Sequence, residues 1–231
     1  MFAAQQRTRV NAGMQEIMNY NFSDDHTGVH RLILDQVPTG SRVLDVGCAS
    51  GYLGEALGGR KCEMWGIEPD LKSFTIAQAK GYKKIINSSI EEALPLLGAE
   101  GFDVIIVADV LEHLVNPNLT LNELKRFCKP NGKILVSLPN VAHYSVRQSL
   151  LFGKWDMTDT GILDRTHLHF FTLKTIKTLF KEAGWEIEAL RPRGDLERWF
   201  RKIGLEKLGK KLLFLFPELW AVQFVLTARP L

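Results

Sequence analysis

The sequence predicts an α/β fold in which a doubly wound, mostly parallel sheet carries helices on both faces. Segments typical of strands and of helices alternate from about residue 29 onward, and this alternation indicates parallel strands connected through helices. The run FDVIIVAD is apolar and rich in β-branched residues, which favours a central strand buried on both faces. Glycines follow the run RVLDV, as expected where a strand turns tightly into a helix.

Short local signals define the elements of the first half. The segment VHRLILDQVP is predicted to be a helix that is closed by Pro38 and the Thr-Gly turn after it. RVLDVG is then a short buried strand, GYLGEALG a helix and KCEMWGIEP a second strand. Asp70 suits an N-cap and Gly81 suits the residue beyond a helix end, so we expect a helix between them. YKKIINSS is a weak third strand.

The second half begins with FDVIIVAD as the fourth strand. Asn116 and Pro117 offer a cap and a first-turn proline for a helix that the turn KPNG ends. KILVSLP is a fifth strand, and Thr172 opens an amphipathic helix that stops at Gly184. WEIEAL and WAVQFVLTAR complete the set as the last two strands.

We expect residues 1–231 to form a single domain with two inserts, because 231 residues fit one α/β domain with a modest appendage. The first insert, called the lid below, covers about residues 139–171 after the fifth strand. The second, called the basic insert, covers about residues 191–218 between the last two strands. Long inserts in compact domains are usually functional or disordered, and the lid is too aromatic for disorder.

Composition and charge limit the classes of protein. The chain has 45% hydrophobic and 24% charged residues, which is ordinary for a globular protein. A net charge of +3 is too small to indicate a nucleic-acid partner. Three cysteines without metal-like spacing favour a reduced, cytoplasmic compartment. The start lacks the apolar run of a signal peptide, and Leu212–Leu226 is too short and too polar to span a bilayer.

Positive charge is concentrated in the basic insert. Residues 191–211 contain eight Lys/Arg and three acids, a local charge of +5, interleaved with Trp, Phe, Leu and Ile. A basic amphipathic segment of this kind can lie on an anionic membrane surface, so peripheral membrane contact through residues 195–216 is one prediction. Docking on the chain's own domain and pairing in a homodimer are the alternatives.

The stretch VLDVGCASG is the first candidate for chemistry. Small residues after a strand let the backbone approach a ligand closely. Asp45 precedes the turn, where a carboxylate would repel a pyrophosphate but could hold a cationic amine through ordered water. Glu68 ends the second strand, where a carboxylate can accept hydrogen bonds from both ribose hydroxyls. A tight turn without any ligand is the plain alternative, and an NAD site would need G-x-G-x-x-G where this chain has G-x-A-x-G.

The pattern Asp-x-Gly-x-Ala-x-Gly, with an acid closing the next strand, resembles the class I S-adenosylmethionine (SAM) methyltransferases over roughly residues 29–190 and the last strand. The resemblance implies SAM as cofactor and a Rossmann-like sheet of seven strands, the last one antiparallel. The positions that match the motif around the methionine moiety are Asp45, Gly47, Cys48, Ala49 and Gly51. Glu68 matches the ribose-binding acid. Ser89 and Ile90 stand where the adenine is bound, Ser89 replacing the usual Asp, and Ala108 and Asp109 should border the methyl donor.

The motif ADVLEHL follows the fourth strand, at the edge of the sheet where doubly wound folds bind ligands. On a helical turn, Asp109, Glu112 and His113 would share one face. In one interpretation they are a scaffold for the methionine end of the cofactor. In a second, His113 is a general base that deprotonates a substrate hydroxyl, a role to which histidine is suited at neutral pH.

A third interpretation is a divalent-metal site. Asp-x-x-Glu-His resembles the metal motif of ubiquinone-pathway O-methyltransferases and of small-RNA 2′-O-methyltransferases. The later segment THLHFFT offers His167 in the place of a further histidine of the RNA enzymes, with His169 on the same face if the segment is extended. Asp109, Glu112, His113 and His167 could then hold an ion that orients a pair of hydroxyls. The sequence assigns no metal to them, and His113 and His167 are the candidate catalytic residues.

The lid resembles a branch of small methyltransferases encoded alongside glycosyltransferases of surface-polysaccharide or secondary-metabolite pathways. Aromatic rings with polar neighbours suit a sugar pocket, and His143, Tyr144 and Arg165 are the candidate substrate-binding residues. In the plainer interpretation, Trp155 and the Phe residues are simply the core of the lid.

The sequence therefore predicts a SAM-dependent methyltransferase acting on an oxygen of a small molecule or sugar. Transfer would be an in-line displacement, with the nucleophile held about 3–3.5 Å from the methyl group and His113 or a lid histidine removing the proton. Cys48 is not expected to be a nucleophile. Two alternatives stay open: a metal-assisted enzyme acting on a diol or an RNA 2′-hydroxyl, and a non-catalytic SAM-binding regulatory subunit.

Overall fold

The structure, a computed structural model, describes residues 28–98 and 101–231. Its strands are β1 Arg42–Val46, β2 Glu63–Ile67, β3 Tyr82–Ile86, β4 Phe102–Ala108, β5 Cys128–Pro139, β6 Trp185–Arg193 and β7 Gln223–Pro230. They form a seven-stranded sheet of order β3-β2-β1-β4-β5-β7-β6. The strands from β3 to β5 in this order are parallel, and β7 is antiparallel to both β5 and β6. The predicted fold class, with its antiparallel last strand, is confirmed.

Helices lie against this sheet. They are α1 Val29–Leu34, α2 Tyr52–Gly58, α3 Leu71–Ala77, α4 Ile90–Ala93, α5 Pro117–Leu124, α6 Tyr144–Leu151, α7 Leu173–Glu182, α8 Leu196–Arg201, α9 Glu206–Leu215 and α10 Pro217–Trp220. Short 3₁₀ turns occur at Leu94–Leu96, Leu111–His113 and Lys125–Phe127.

The predicted helix caps have the expected hydrogen bonds. The Asp70 carboxylate accepts the N–H of Ser73 at 2.8 Å, and Asn116 Oδ1 accepts the N–H of Leu119 at 3.0 Å. Thr172 opens α7 with a reciprocal capping box. Each cap satisfies a backbone N–H that has no partner within the first helical turn.

Several predicted boundaries differ from the structure, and α1, for instance, ends at Leu34, short of Pro38. The helix after Asp70 ends at Ala77 rather than continuing to Gly81, although Gly81 does adopt a left-handed φ of 81°. The segment KPNG is part of β5 and not a turn. The extra residues are accommodated by a register shift, because Phe102 pairs with Cys128 whereas Val104 already pairs with Lys133.

Side chains on alternate positions of the strands build two cores, one on each face of the sheet. Along β1, Leu44 and Val46 pack into one core and Val43 packs into the other with Ile33 of α1 and Leu57 of α2. This alternation follows from the two-residue period of a strand.

The two inserts have secondary structure of their own. The lid contains α6 and an irregular loop closed by a bridge between Thr158 and Asp164. The basic insert forms α8, α9 and the start of α10, and Leu213 anchors it in the core with 2% exposure. Among the helices of the described residues, none is both long and apolar enough to cross a membrane.

Two glycines let Tyr82, at the start of β3, reach across the sheet. A Cβ on Gly66 of β2 would lie 3.1 Å from the Tyr82 ring, and one on Gly54 of α2 would lie 2.0 Å from it. The ring therefore fills space that side chains at these positions would occupy. Its hydroxyl reaches β1, where the candidate site begins.

Replacing Gly54 with Ala should destabilise the protein, because the Tyr82 ring must move away from the new Cβ. We expect a loss of about 1–3 kcal/mol in the free energy of unfolding, measured by urea denaturation. Gly58→Ala in the same helix is the matched control, since its Cβ would meet nothing closer than 3.9 Å. That change should be neutral or stabilise by up to about 1 kcal/mol. Equal effects of the two substitutions would contradict the packing of Tyr82 against α2.

Candidate functional site

A tight turn joins β1 to α2. Its backbone is left-handed at three positions, with φ of 70° at Gly47, 46° at Ala49 and 82° at Gly51. A Cβ on Gly47 would lie 2.6 Å from Cγ2 of Val110, so glycine is needed there for space as well as for conformation. The same contact brings the segment after β4 directly against the turn. The glycine turn and the ADVLEHL motif thus meet at the carboxyl ends of the neighbouring strands β1 and β4.

Glu68, just after β2, joins two backbone segments. Its Oε2 accepts the N–H of Ala49 at 2.8 Å and its Oε1 accepts the N–H of Asp70 at 2.9 Å. The side chain is 2% exposed, and burial raises the pKa of its carboxyl although the two N–H donors oppose this. Each carboxylate oxygen can accept more than one hydrogen bond, so the acid can hold the turn and still accept from a ligand hydroxyl.

Asp45 is held by a residue that the sequence analysis missed. The Tyr82 hydroxyl donates to Asp45 Oδ2 at 2.5 Å and accepts the N–H of Gly54 at 3.1 Å. Burial, with a contribution from Glu68, raises the pKa of Asp45 to about 7, and the Tyr82 hydrogen bond opposes the rise. Nothing in the local sequence marks Tyr82, because its role depends on the pairing of three strands and on the missing side chain at Gly66.

The other cofactor positions predicted near this turn have defined surroundings. Cys48 is buried, and burial with the nearby Asp45 and Glu68 raises the pKa of its thiol, so the sulfur stays protonated and is a poor nucleophile. Ser89 caps α4 by accepting the N–H of Glu92 at 3.4 Å. Ile90 is 4% exposed and packs in the core. The adenine contact of Ser89 and Ile90 stays a prediction.

Asp109 departs from the helical turn on which the sequence analysis placed it. β4 ends at Ala108, and Asp109 follows with a left-handed φ of 55°. Its Oδ1 accepts a hydrogen bond from Ser137 Oγ at 2.9 Å and another from Gln223 Nε2. Burial raises the pKa of its carboxyl, and His30 and His113 oppose the rise. The side chain is therefore directed to β5 and β7 instead of sharing a helical face with Glu112 and His113.

His30 of α1 is a further neighbour that the sequence analysis missed. Burial lowers the pKa of its imidazole, while the Asp109 carboxylate opposes that change. Its ring also lies 5.4 Å from that of Tyr52, measured between centroids. A single histidine in an amphipathic helix gives no signal of such a role in the sequence.

Glu112 has a buried carboxyl with an unused oxygen. The residue is 1% exposed, and its Oε2 has no hydrogen-bond partner among the described residues. Burial raises the pKa of this carboxyl well above its usual range, and the carboxylates of Asp109 and Asp164 add to the rise. A buried polar atom without a partner is costly, so the oxygen is suited to meet a ligand or an ion.

The backbone of Glu112 fixes the lid. Its carbonyl accepts the N–H of Leu168 at 2.8 Å and that of His169 at 3.0 Å. These two bonds bring the segment THLHFF of the lid against the turn after β4. His113 and His167 meet as a result, with ring centroids 4.8 Å apart at an interplanar angle of 72°.

Lid residues orient His113. The Asp164 carboxylate accepts from the Thr166 hydroxyl at 2.6 Å. Thr166 in turn faces Nδ1 of His113 with its carbonyl oxygen at 3.3 Å and its hydroxyl oxygen at 3.2 Å. Because a carbonyl can only accept, these contacts place the proton on Nδ1 and leave Nε2 as the basic nitrogen.

His167, like His113, has its Nδ1 beside a backbone carbonyl, whereas the ring of His169 lies apart from these two histidines. Nδ1 of His167 lies 3.2 Å from the carbonyl of Ile162, which again favours a basic Nε2. Burial and the nearby His113 lower the pKa of His167. His169 instead places Nε2 at 3.3 Å from the carbonyl of Val115. A shared face for His167 and His169 requires an extended segment, and the chain bends at Leu168 instead.

Of the four residues that the sequence analysis considered as metal ligands, the structure brings three together. Ligand atoms of Glu112, His113 and His167 lie within 4.8 Å of one another. Asp109 lies outside this group and is hydrogen-bonded to Ser137 and Gln223. One carboxylate and two imidazoles with basic Nε2 atoms are ligand types that divalent transition ions accept.

The predicted substrate residues lie in two parts of the lid. His143 is 8% exposed, and its Nδ1 is 2.8 Å from Ser145 Oγ at the start of α6. Tyr144 is 45% exposed and its ring lies 5.2 Å from that of Trp220. Arg165 makes an exposed ion pair with Asp159 at 2.8 Å. Substrate contact of these three residues stays a prediction.

The residues at this edge of the sheet fit SAM. Its ammonium and sulfonium are positive, and Asp45, Glu68 and Asp109 are acids whose pKa burial raises. A cationic ligand stabilises the ionised form of such acids. The oxygens of Glu68 suit ribose hydroxyls, and the left-handed turn lets the backbone come close to a ligand.

The comparisons with known proteins agree with this fit. The sequence model of a family described as "Methyltransferase domain" matches residues 14–190. The ubiquinone biosynthesis O-methyltransferase of Dechloromonas aromatica is 34% identical over 109 residues, which are 44% of this chain and 45% of that protein. The human mitochondrial ubiquinone biosynthesis O-methyltransferase is 24% identical over 158 residues, 65% of this chain and 43% of that protein. The chain thus spans about half the length of the relatives it matches.

Solved structures share the fold. The magnesium protoporphyrin IX methyltransferase of Synechocystis, with bound SAH, superposes with a TM-score of 0.62 and 13% identity over 95% of this chain and 94% of that one. A SAM-dependent methyltransferase of Archaeoglobus fulgidus has a TM-score of 0.60 and 19% identity over 86% and 93%. The family match, the strand order and the acids at the glycine turn agree, and the chain belongs to the class I SAM-dependent methyltransferases.

Proposed function

We propose that this chain transfers a methyl group from SAM to a hydroxyl oxygen of a small molecule, with a sugar of a surface glycan or of a secondary-metabolite precursor as the acceptor class. Similarity to proteins named O-methyltransferases supports oxygen as the acceptor atom. The composition of the lid supports a sugar as the acceptor, because aromatic rings and hydrogen-bonding side chains occur there together. The ring centroids of Trp155 and Phe170, for example, are 5.3 Å apart.

The orientation of His113 carries the proposal. Thr166 and Asp164 hold its Nδ1–H, so Nε2 can accept a proton. His113 lies close to the cofactor turn, because Val110, three residues before it in the chain, packs on Gly47 of that turn. A proton acceptor at this place suits an oxygen nucleophile, which must lose its proton as it attacks.

SAM, when bound, supplies a methyl group on a positively charged sulfur that an oxygen nucleophile can displace. The chain's part is to hold the acceptor hydroxyl in line with that methyl group, to exclude water under the lid and to accept the proton at Nε2 of His113. Positioning alone supplies a large share of the rate in reactions of this kind. The carboxylates of Asp45 and Glu68 would hold the cofactor at its methionine part and at its ribose.

The proposal predicts methyl transfer that depends on His113. Labelled SAM should methylate at least one member of a panel of sugars, sugar nucleotides and phenolic metabolites. In His113→Gln, kcat should fall by about 10²-fold or more while SAH affinity by calorimetry is unchanged. His169→Gln is the control and should keep its rate, because the side chain of His169 lies against the Val115 carbonyl and its bond to Glu112 is made by the backbone N–H, which the change preserves.

Other outcomes of that experiment identify the alternatives. An equal loss of SAH affinity and of rate in His113→Gln would make His113 a scaffold for the cofactor. Methylation of RNA alone would replace the small-molecule acceptor with a 2′-hydroxyl. Binding of SAH without methylation of any acceptor would favour a regulatory subunit.

Cofactor binding should depend on pH through Asp45. Its pKa of about 7 in the folded protein means that the carboxyl is protonated below that pH, so SAM affinity should fall as the pH drops from 8 to 6. Tyr82→Phe removes the donor that favours the ionised form and should raise this pKa further. We expect about a tenfold loss of SAM affinity at pH 7 and a smaller loss at pH 8.5, by calorimetry.

Tyr144→Phe in the lid is the matched control for that measurement. It removes a phenolic hydroxyl elsewhere and should leave cofactor affinity unchanged at both pH values. A loss in Tyr82→Phe that is the same at pH 6 and at pH 8.5 would show that the hydroxyl does not act through the charge of Asp45.

The unpartnered oxygen of Glu112 favours a second candidate, a divalent-metal-assisted methyltransferase acting on a diol. Glu112, His113 and His167 offer three ligand atoms in one group, and Oε2 of Glu112 is buried without a hydrogen bond. An ion there would supply a Lewis acid that orients two neighbouring hydroxyls. In this candidate the two imidazoles act as ligands, and His113 is not the base.

Calorimetric titration of Mg²⁺, Mn²⁺ and Zn²⁺ into metal-stripped protein tests this candidate. Metal heat that disappears in Glu112→Gln and His167→Gln but persists in His169→Gln would support it. In metal-free wild-type protein, the free energy of unfolding should fall as the pH rises through the folded pKa of Glu112, because that pKa is raised above its value in the unfolded chain. Glu112→Gln should not show this fall. The absence of metal heat in wild-type protein would exclude the metal candidate and leave the stability effect intact.

A further inference from the structure

We propose that the basic insert is a docking surface for an anionic lipid bilayer. The proposal concerns α8, α9 and the start of α10, and it does not depend on the identity of the methyl acceptor. Three properties support it: apolar side chains left in solvent, basic side chains among them, and firm attachment of the insert to the sheet and the lid.

Large apolar side chains of the basic insert are exposed although its helices are packed. Seven of them are between 43% and 66% exposed: Trp199, Ile203, Leu205, Leu208, Phe214, Leu215 and Phe216. Leu213, in contrast, is 2% exposed and packs in the core. The insert therefore has an inward apolar face that folding uses and an outward apolar face that folding does not explain.

Lysines lie on the same outward side of α9. At 3.6 residues per turn, Lys207 and Lys211 stand next to Leu208 and Leu215, on the side opposite to the buried Leu213. Both lysines are exposed. A helix with this mixture can lie in the plane of a bilayer surface, with its leucines among the acyl chains and its lysines reaching the headgroups.

The charge of the insert favours an anionic bilayer over a second copy of the chain. Residues 191–211 carry +5 within a chain whose total is +3. In a two-fold dimer through this surface, the same positive patch would face itself and repel. An anionic lipid surface is instead attracted by each lysine or arginine close to it.

The insert is joined to the sheet and to the lid. The two ends of the insert are held together where Val222 donates its N–H to the carbonyl of Arg193 of β6 at 2.8 Å, and Leu213 of α9 packs in the core of the domain. Nδ2 of the buried Asn140 donates to the carbonyls of Glu218 at 2.9 Å and of Ala221 at 2.7 Å. A bilayer bound to the insert would thus be held in a fixed relation to the start of the lid.

Sedimentation of the full chain with vesicles tests the proposal. We expect it to bind vesicles of phosphatidylcholine and phosphatidylglycerol in equal parts, to bind pure phosphatidylcholine at least about tenfold more weakly, and to be released by NaCl. The double variant Lys207→Glu/Lys211→Glu should lower binding to the anionic vesicles by about tenfold or more. Phe214→Ser/Leu215→Ser should lower it as well, because these residues supply the apolar contact.

The matched control is Lys174→Glu/Lys177→Glu, which reverses two exposed lysines of α7 and should bind like the wild type. SAH affinity, measured for each variant, shows whether it is folded. Equal losses in the two lysine variants would mean a general effect of charge and would overturn the proposal. Absence of vesicle binding, or a concentration-dependent dimer that is abolished by Phe214→Ser/Leu215→Ser, would overturn it in favour of another role for this face.

Discussion

One backbone carbonyl attaches the late segment of the lid to the end of β4. Glu112 O accepts the N–H groups of Leu168 and His169, and these bonds bring a segment more than 50 residues later in the chain onto the end of β4. The pairing of His113 with His167, and the orientation of His113 by Thr166, both follow from this attachment. Because the carbonyl belongs to the 3₁₀ turn at Leu111–His113, the conformation of that turn positions the candidate catalytic groups as well.

The carboxyl edge of the sheet collects acids that repel one another. Burial raises the pKa of Asp45 and that of Glu112, and neighbouring carboxylates add to each rise, Glu68 at Asp45 and both Asp109 and Asp164 at Glu112. Acids with raised pKa in the folded state bind protons more tightly there than in the unfolded chain, so the folded state loses stability as the pH rises through their pKa values. A positively charged ligand offsets this loss, which gives a physical reason for a cation-binding edge that goes beyond the presence of a sequence motif.

The sequence could predict those parts of the fold that local chemistry determines. The caps at Asp70, Asn116 and Thr172, the apolar run of β4 and the glycine turn all depend on residues close together in the chain, and they were predicted correctly. The helix that was expected to reach Gly81 ends at Ala77. The expected turn KPNG is absorbed into β5, where it forms the extra residues of the register shift against β4.

The parts of the site that the sequence missed are all contacts between distant segments. Tyr82 reaches Asp45 only because Gly66 lies between them on β2. Ser137 and Gln223 capture Asp109 only because β5 and β7 are neighbours and Asp109 takes a left-handed conformation. The same conformation separates Asp109 from the group formed by Glu112, His113 and His167. A motif therefore identified the correct region but could not determine which side chains meet within it.

Asn140 links the start of the lid to the end of the basic insert. Its single side-chain amide donates to both Glu218 and Ala221, while the next residues of the chain lead into the lid helix α6. A lid that swung away while α10 stayed in place would have to leave a buried amide without its acceptors, at a cost of about 1–3 kcal/mol for each lost bond. The residue at which the lid begins is therefore tied to the residues at which the basic insert ends, and a displacement of one of these ends is transmitted to the other.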